Sequence, residues 1–218
     1  PSGKAGVLTL KGHPEYETIG VVCRRTEGSG TISHQMPSGK RYNPAPLCVC
    51  AAPVCEGLYD FSRLIDLTGT QRTGNDMVWT TPDKKEWGIL SFHVKRMYEG
   101  THIVANVSDT NRYINIIDRD AVARFITLTH DAYRSRAAED MSGYVHAMFT
   151  DEPSLMTSYL INEEGLLPAI PWSRTFRDEF MKKYGYDPVP VLPYLFEDGG
   201  PETAYRRLDF WSLVSTLI

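Results

Sequence analysis

Apolar and polar positions along this 218-residue chain fall into three textures. Residues 1 to 45 hold only short strand-like pieces among Gly, Pro and Ser, with Pro1-Ser2-Gly3-Lys4-Ala5-Gly6 as a loop. From Leu47 to about Val107 the apolar positions form β-branched or aromatic runs, namely 47–54, 77–80 and 87–94. Turns bearing Gly or Pro separate them, and their alternating polar positions predict a largely antiparallel sheet over 47–95. From Asp109 onward the period becomes helical. Asp118 stands as N-cap to a helix whose apolar positions Val122, Phe125, Ile126 and Tyr133 share a face, and Asp120 adds favourable charge to the first turn. Trp172, Phe176, Phe180 and Tyr184 recur every four residues, predicting a helix opened at Pro171 or Ser173 and closed near Gly185. A last helix, 203–217, presents Leu208, Trp211, Leu213 and Val214 as its apolar side. Aromatics at helical spacing read as core more readily than as sugar platforms.

One segment interrupts the helical region. Gly143-Tyr144-Val145-His146-Ala147-Met148-Phe149 is a short apolar run that ends in Thr150-Asp151-Glu152-Pro153-Ser154. A run of that length fits a strand at 144–149 buried on both faces, and the helix before it suggests a βα alternation. Parallel α/β folds collect reactive groups at the carboxyl ends of strands, where Asp151 and Glu152 would then sit. Neighbouring residues on extended backbone point to opposite sides, so the two carboxylates serve different purposes. Glu152 is the candidate reacting group, and Asp151 holds the loop or orients a neighbour. The same pair also reads as a solvated charge pair on an ordinary loop.

Composition narrows the function classes. A hydrophobic fraction of 42% in 218 residues supports a globular chain with a sizeable core. The 23 basic and 27 acidic residues are interspersed at a net charge of -4, without the basic stripe that follows a nucleic-acid backbone. No run is long enough to span a bilayer, so neither nucleic acid nor membrane is an expected partner. The chain opens on Pro1 without an initiator methionine, and it is expected to be an internal piece of a longer product. Cys48 and Cys50 share one face of a predicted strand. With Cys23 and Cys55 they match no paired zinc signature, so reduced, buried thiols are expected and no metal ligands are assigned. His146 reads as a hydrogen-bonded core residue, and His13, His34, His93, His102 and His130 show no metal-like spacing. No Ser or Cys stands in a recognisable nucleophile setting, which argues against acyl transfer.

A longer ordered pattern is more specific. Phe149-Thr150-Asp151-Glu152-Pro153-Ser154 is followed by Pro171-Trp172, Phe176, Phe180 and Lys183-Tyr184-Gly185-Tyr186-Asp187. Leu192-Pro193-Tyr194-Leu195-Phe196 and Arg207-Leu208-Asp209-Phe210-Trp211 complete the downstream set. Upstream stand Pro1 to Gly6, His13-Pro14-Glu15-Tyr16, Leu64-Ile65-Asp66-Leu67-Thr68, Trp79, Pro82 and Trp87, then Phe125-Ile126 and Thr129-His130-Asp131. Taken in order, the series resembles glycoside hydrolase family 106, the α-L-rhamnosidase-like enzymes built on a (β/α)8 barrel, and the likeness runs through most of the chain.

The resemblance implies an α/β fold of incomplete TIM-type barrel with a β-rich antiparallel insertion. Residues 1–45 would be barrel loop and lead-in, 46–107 the insertion, and 108–218 a barrel helix-strand-helix segment. A whole barrel takes about 250 residues before insertions, so this chain would be part of one and would partner the remainder of its own polypeptide. The implied activity is polysaccharide degradation: general acid/base cleavage of terminal, rhamnose-like deoxyhexose from a carbohydrate substrate. Glu152 would be the acid beside Asp151, with the second carboxylate outside the chain and this segment alone inactive. The likeness also implies a calcium ion near the site, without an assignable ligand set, and a periplasmic or extracellular location. No other cofactor is indicated. The alternative is a non-catalytic carbohydrate- or protein-binding module, for which Trp79 and Trp87 would have to present exposed, coplanar faces.

Overall fold

The computed structural model describes residues 9–97, 113–144, 155 and 165–218, with the side chains of 138–142 and 144 excepted. Its centre is a curled antiparallel sheet. β1 (Ile19–Gly28), β3 (Cys48–Cys55), β7 (Trp87–Arg96) and β8 (Leu166–Trp172) lie in the order β3-β7-β1-β8, with the two-residue strands β4 (Leu58–Tyr59) and β5 (Ile65–Asp66) beside β3. β2 (Thr31–Gln35) and β6 (Asp76–Thr80) pair only with each other, as a second layer. Every pairing among the described residues is antiparallel.

This corrects the expected fold class. The TIM-type (β/α)8 segment requires parallel strands joined by helical crossovers. Here β1 runs antiparallel to β7 over ten paired positions, from Ile19 opposite Arg96 to Gly28 opposite Trp87, and antiparallel to β8 on its other edge. The sheet therefore draws strands from the first, middle and last parts of the chain, and no βαβ unit occurs among the described residues. The antiparallel pairing expected within 47–95 is present, in β3 with β7.

Alternation along the central strands sorts side chains to two cores. Val21 and Cys23 of β1, Cys50, Ala52 and Val54 of β3, and Leu90, Phe92 and Val94 of β7 face a helical layer. Val49, Ala51, Trp87 and Ile89 face the opposite way, onto Ile32, Met36, Leu67 and Met77. β7 is consequently buried along nine of its ten residues. All four cysteines are free, with Cys23 and Cys50 buried and Cys55 exposed. Burial pushes the Cys48 thiol up to about 12, so it has little thiolate character at neutral pH.

Helix α1 (Arg119–Ile126) starts where Asp118 predicts, its carboxylate accepting from the backbone N–H of Asp120 and Ala121. A π-turn, Thr127–Asp131, leads into α2 (Ala132–Tyr144), which is kinked at Ala137. The apolar face expected here is largely uncovered, with Ile126 and Tyr133 exposed. α3 (Phe176–Tyr184) ends where Gly185 takes φ +77°, a left-handed position that glycine fills without strain. α4 (Leu192–Phe196) and α5 (Glu202–Leu217) follow. On α5 the structure corrects the predicted face: Phe210, Leu213, Val214 and Leu217 are buried, whereas Leu208 and Trp211 are exposed.

One glycine is required by packing. A Cβ on Gly88 would lie 2.8 Å from Cζ of Tyr59 and closer still to its hydroxyl. Tyr59 is buried, and its hydroxyl donates to Glu27 at 2.6 Å, so it cannot swing aside without breaking that bond. Gly88→Ala is expected to cost about 3 kcal/mol in a denaturant melt, the sum of overpacking and a lost charge-assisted bond. Most of that cost should vanish in a Tyr59→Ala background; equal costs in both backgrounds would contradict the packing account.

Candidate functional site

Asp151 and Glu152 lie outside the described residues, as do His146, His102, the Pro1 to Gly6 loop and 145–149 of the expected strand. Tyr144, its first residue, closes α2. On the far side of the pair, Leu155 packs against the helix-side core, and β8 begins at Leu166.

The residues that carry the resemblance downstream of Glu152 form one packed unit. Trp172 meets Phe176 at 4.8 Å between ring centroids, and Phe176 meets Phe210 at 4.9 Å, while Phe180 contacts Phe176, Tyr184 and Tyr186. Arg177 grips Asp187 through Nε at 3.0 Å and Nη2 at 2.5 Å. The Tyr186 hydroxyl donates to Asp209 at 2.8 Å, and the Arg206 guanidinium lies over its ring. Arg207 donates to the carbonyls of Tyr194 and Glu197, satisfying the open end of α4. These motif residues are scaffold: each has a partner that explains it without a substrate.

Two polar clusters that sequence reasoning missed are assembled by the sheet. The first lies on its helix-facing side. Arg25 on β1 donates from Nη1 to Glu197 at 2.9 Å and lies 3.7 Å from Glu27, which accepts the Tyr59 hydroxyl. Burial raises the Glu197 carboxyl above its ordinary range, with Arg25 opposing. Burial also works against the Arg25 charge, but Glu197 and Glu27 outweigh it and hold the guanidinium above its ordinary value. Burial and the bond to Glu27 raise the Tyr59 hydroxyl too. Two carboxylates around one guanidinium form a mutually satisfied network, which ties β1 to β4 and to the end of α4.

The second cluster faces the β2–β6 layer. His34, fully buried, is bonded through Nδ1 to Thr26 Oγ1 at 2.9 Å and through Nε2 to Ser91 Oγ at 2.8 Å. His93, two residues beyond Ser91 on the same strand face, is 2% exposed, and its Nε2 has no hydrogen-bond partner. Burial lowers both rings to about 4, helped by Arg24 at His34 and by His34 and Arg72 at His93. A Ser–His contact sealed from solvent offers no approach to a substrate, so this arrangement stores charge sensitivity rather than nucleophilic chemistry.

Trp79 and Trp87 meet edge to face, at 5.4 Å and 67° between planes, and Trp87 is 1% exposed. They make no flat stacking platform. Among the described residues, no three His, Cys, Asp or Glu side chains stand close enough to hold a metal ion, and no helix is long and apolar enough to cross a membrane. No protein-family model matches the chain, and no curated protein matches it.

Proposed function

We propose that this chain is part of a glycoside hydrolase that removes terminal deoxyhexose residues from glycans, with Glu152 as general acid and Asp151 orienting it. The observation that carries this reading is the Gly143 to Ser154 segment, an apolar run delivering two adjacent carboxylates before a proline, at the head of the ordered series that continues through Trp211. The packing of that series into one unit around Trp172, Phe176 and Phe210 is compatible with it, because it accounts for the joint occurrence of those residues as scaffold.

Glu152, holding its proton, would give it to the glycosidic oxygen as the bond from that oxygen to the anomeric carbon breaks. Water would then supply the new anomeric oxygen, its proton leaving to a carboxylate. Asp151, if ionised alongside, favours the protonated form of Glu152 by like-charge repulsion. The resemblance also implies calcium nearby, but no described residues form a ligand set for it and no step here depends on it.

A second reading, a non-catalytic carbohydrate- or protein-binding module, is favoured by the antiparallel sheet. The edge-on Trp79 and Trp87 weigh against its sugar-binding form. The deciding assay compares the 218-residue chain with the longer polypeptide proposed to contain it, on aryl α-L-rhamnosides and related deoxyhexosides. Turnover by the longer polypeptide alone is expected. Absence of turnover by both, with glycan binding retained by the short chain, would establish the binding module instead.

A further inference from the structure

The β2–β6 layer shares no backbone ladder with the six-stranded sheet, so side chains hold it there. Met77, Ile32 and Met36 supply the apolar contacts. The polar contacts converge on His34, which stands opposite Met77 in the small ladder and reaches Thr26 on β1 and Ser91 on β7. His93 lies beside this link, buried, with Nε2 unpartnered.

Among the described residues, the charges that act on the two rings are positive. Arg24 acts on His34, and His34 and Arg72 act on His93. Lys95 follows His93 along the same strand face. β6 brings Met77 and Trp79 to this side, and β3 brings Val49 and Ala51, none of them titratable. A proton added to either ring would therefore meet cations and apolar surface, and among these described residues no carboxylate faces it.

We propose that His34 and His93 form an acid-sensitive latch: neutral, they seat the β2–β6 layer on the sheet, and on protonation they release it while the helix-packed core stays folded. Seated, both rings titrate at about 4. Released into water they titrate near 6.5. The released form thus binds up to two more protons. The seated form's advantage is complete above about pH 6.5 and is lost as pH falls toward 4, with the open-to-closed ratio rising at most about tenfold per pH unit per ring.

Hydrogen exchange of the 218-residue chain, corrected for intrinsic rates, tests this between pH 7.5 and 4.5. Amides of β2 and β6 should lose at least tenfold in protection while α3 and α5 keep theirs, and Trp79 and Trp87, in contact across the layer boundary, should red-shift with the same midpoint. H34Q/H93Q keeps side-chain amides to bond Thr26 and Ser91 and removes the titration, so the loss should flatten. An unchanged acid response in that variant would overturn the latch, as would loss of β2 and β6 only together with α3 and α5. Should the variant fail to fold, the wild-type slope decides: opening independent of pH from 6.5 to 4.5 overturns the proposal.

Discussion

Replacing Glu152 by glutamine in the longer polypeptide proposed to contain this chain is expected to lower kcat/KM on a rhamnoside with a poor leaving group by about a hundredfold to ten-thousandfold. The substitution preserves size and removes the transferable proton, so the loss reports chemistry rather than folding. An activated aryl leaving group needs less protonation as it departs and should suffer markedly less. That contrast separates a proton donor from a residue that merely positions the loop. Full activity of the glutamine variant on the poor leaving group would remove Glu152 from the role proposed for it, and a uniform loss on both substrates would point to misplacement.

The largest structural effect is expected at Phe176. It is fully buried, meets Trp172 and Phe180 on either side along the chain, and receives Phe210 from α5. Truncation removes a whole ring from a site closed on several sides by other rings, which leaves little room for collapse around the void. Phe176→Ala should cost about 4 kcal/mol, or roughly 10 °C in Tm for a chain of this size. Leu208→Ala, on the exposed side of α5, is the control and should stay within about 0.5 kcal/mol. Equal costs at the two positions would mean that α5 packs by the face its sequence first suggests.

That comparison touches what was legible in the chain. Strands over 47–54, 77–80 and 87–94 announce themselves through β-branched and aromatic runs bounded by turns, and β3, β6 and β7 stand there. Asp118 and Gly185 mark helix ends because each performs a local task, bonding two N–H groups in one case and taking positive φ in the other. The α5 face was ambiguous because apolar side chains occupy both sides of that helix, so periodicity could not choose between Leu208 with Trp211 and Phe210 with Leu217. β1 was hidden because Arg24, Arg25 and Glu27 interrupt its apolar run. β8 was hidden because Pro168 and Pro171 argue against a strand and Trp172 falls into register with the helix that follows.

Strand direction left no local trace. β1 and β8 pair with Ile19 opposite Trp172, and the choice between parallel and antiparallel is made by that distant encounter rather than by either segment. The polar clusters are equally non-local: Arg25 and Glu197 stand 172 positions apart, and neither belongs to a motif. Their existence depends on which face of β1 the pleat assigns to odd-numbered residues.

The prolines that disguised β8 give the sheet a property of their own. β8 is the outermost strand on its side of the described sheet, and Pro168 and Pro171 leave it two backbone N–H donors short as a pairing strand, a composition found on guarded sheet edges. The opposite margin is made of β4 and β5, each two residues long, which offer almost no length for a guest strand. A curled sheet with a ten-residue central pair would otherwise be a template for chain-to-chain growth. Both of its ends are instead poor landing places, so the molecule should remain dispersed at concentrations where an unguarded sheet of this size would assemble edge to edge.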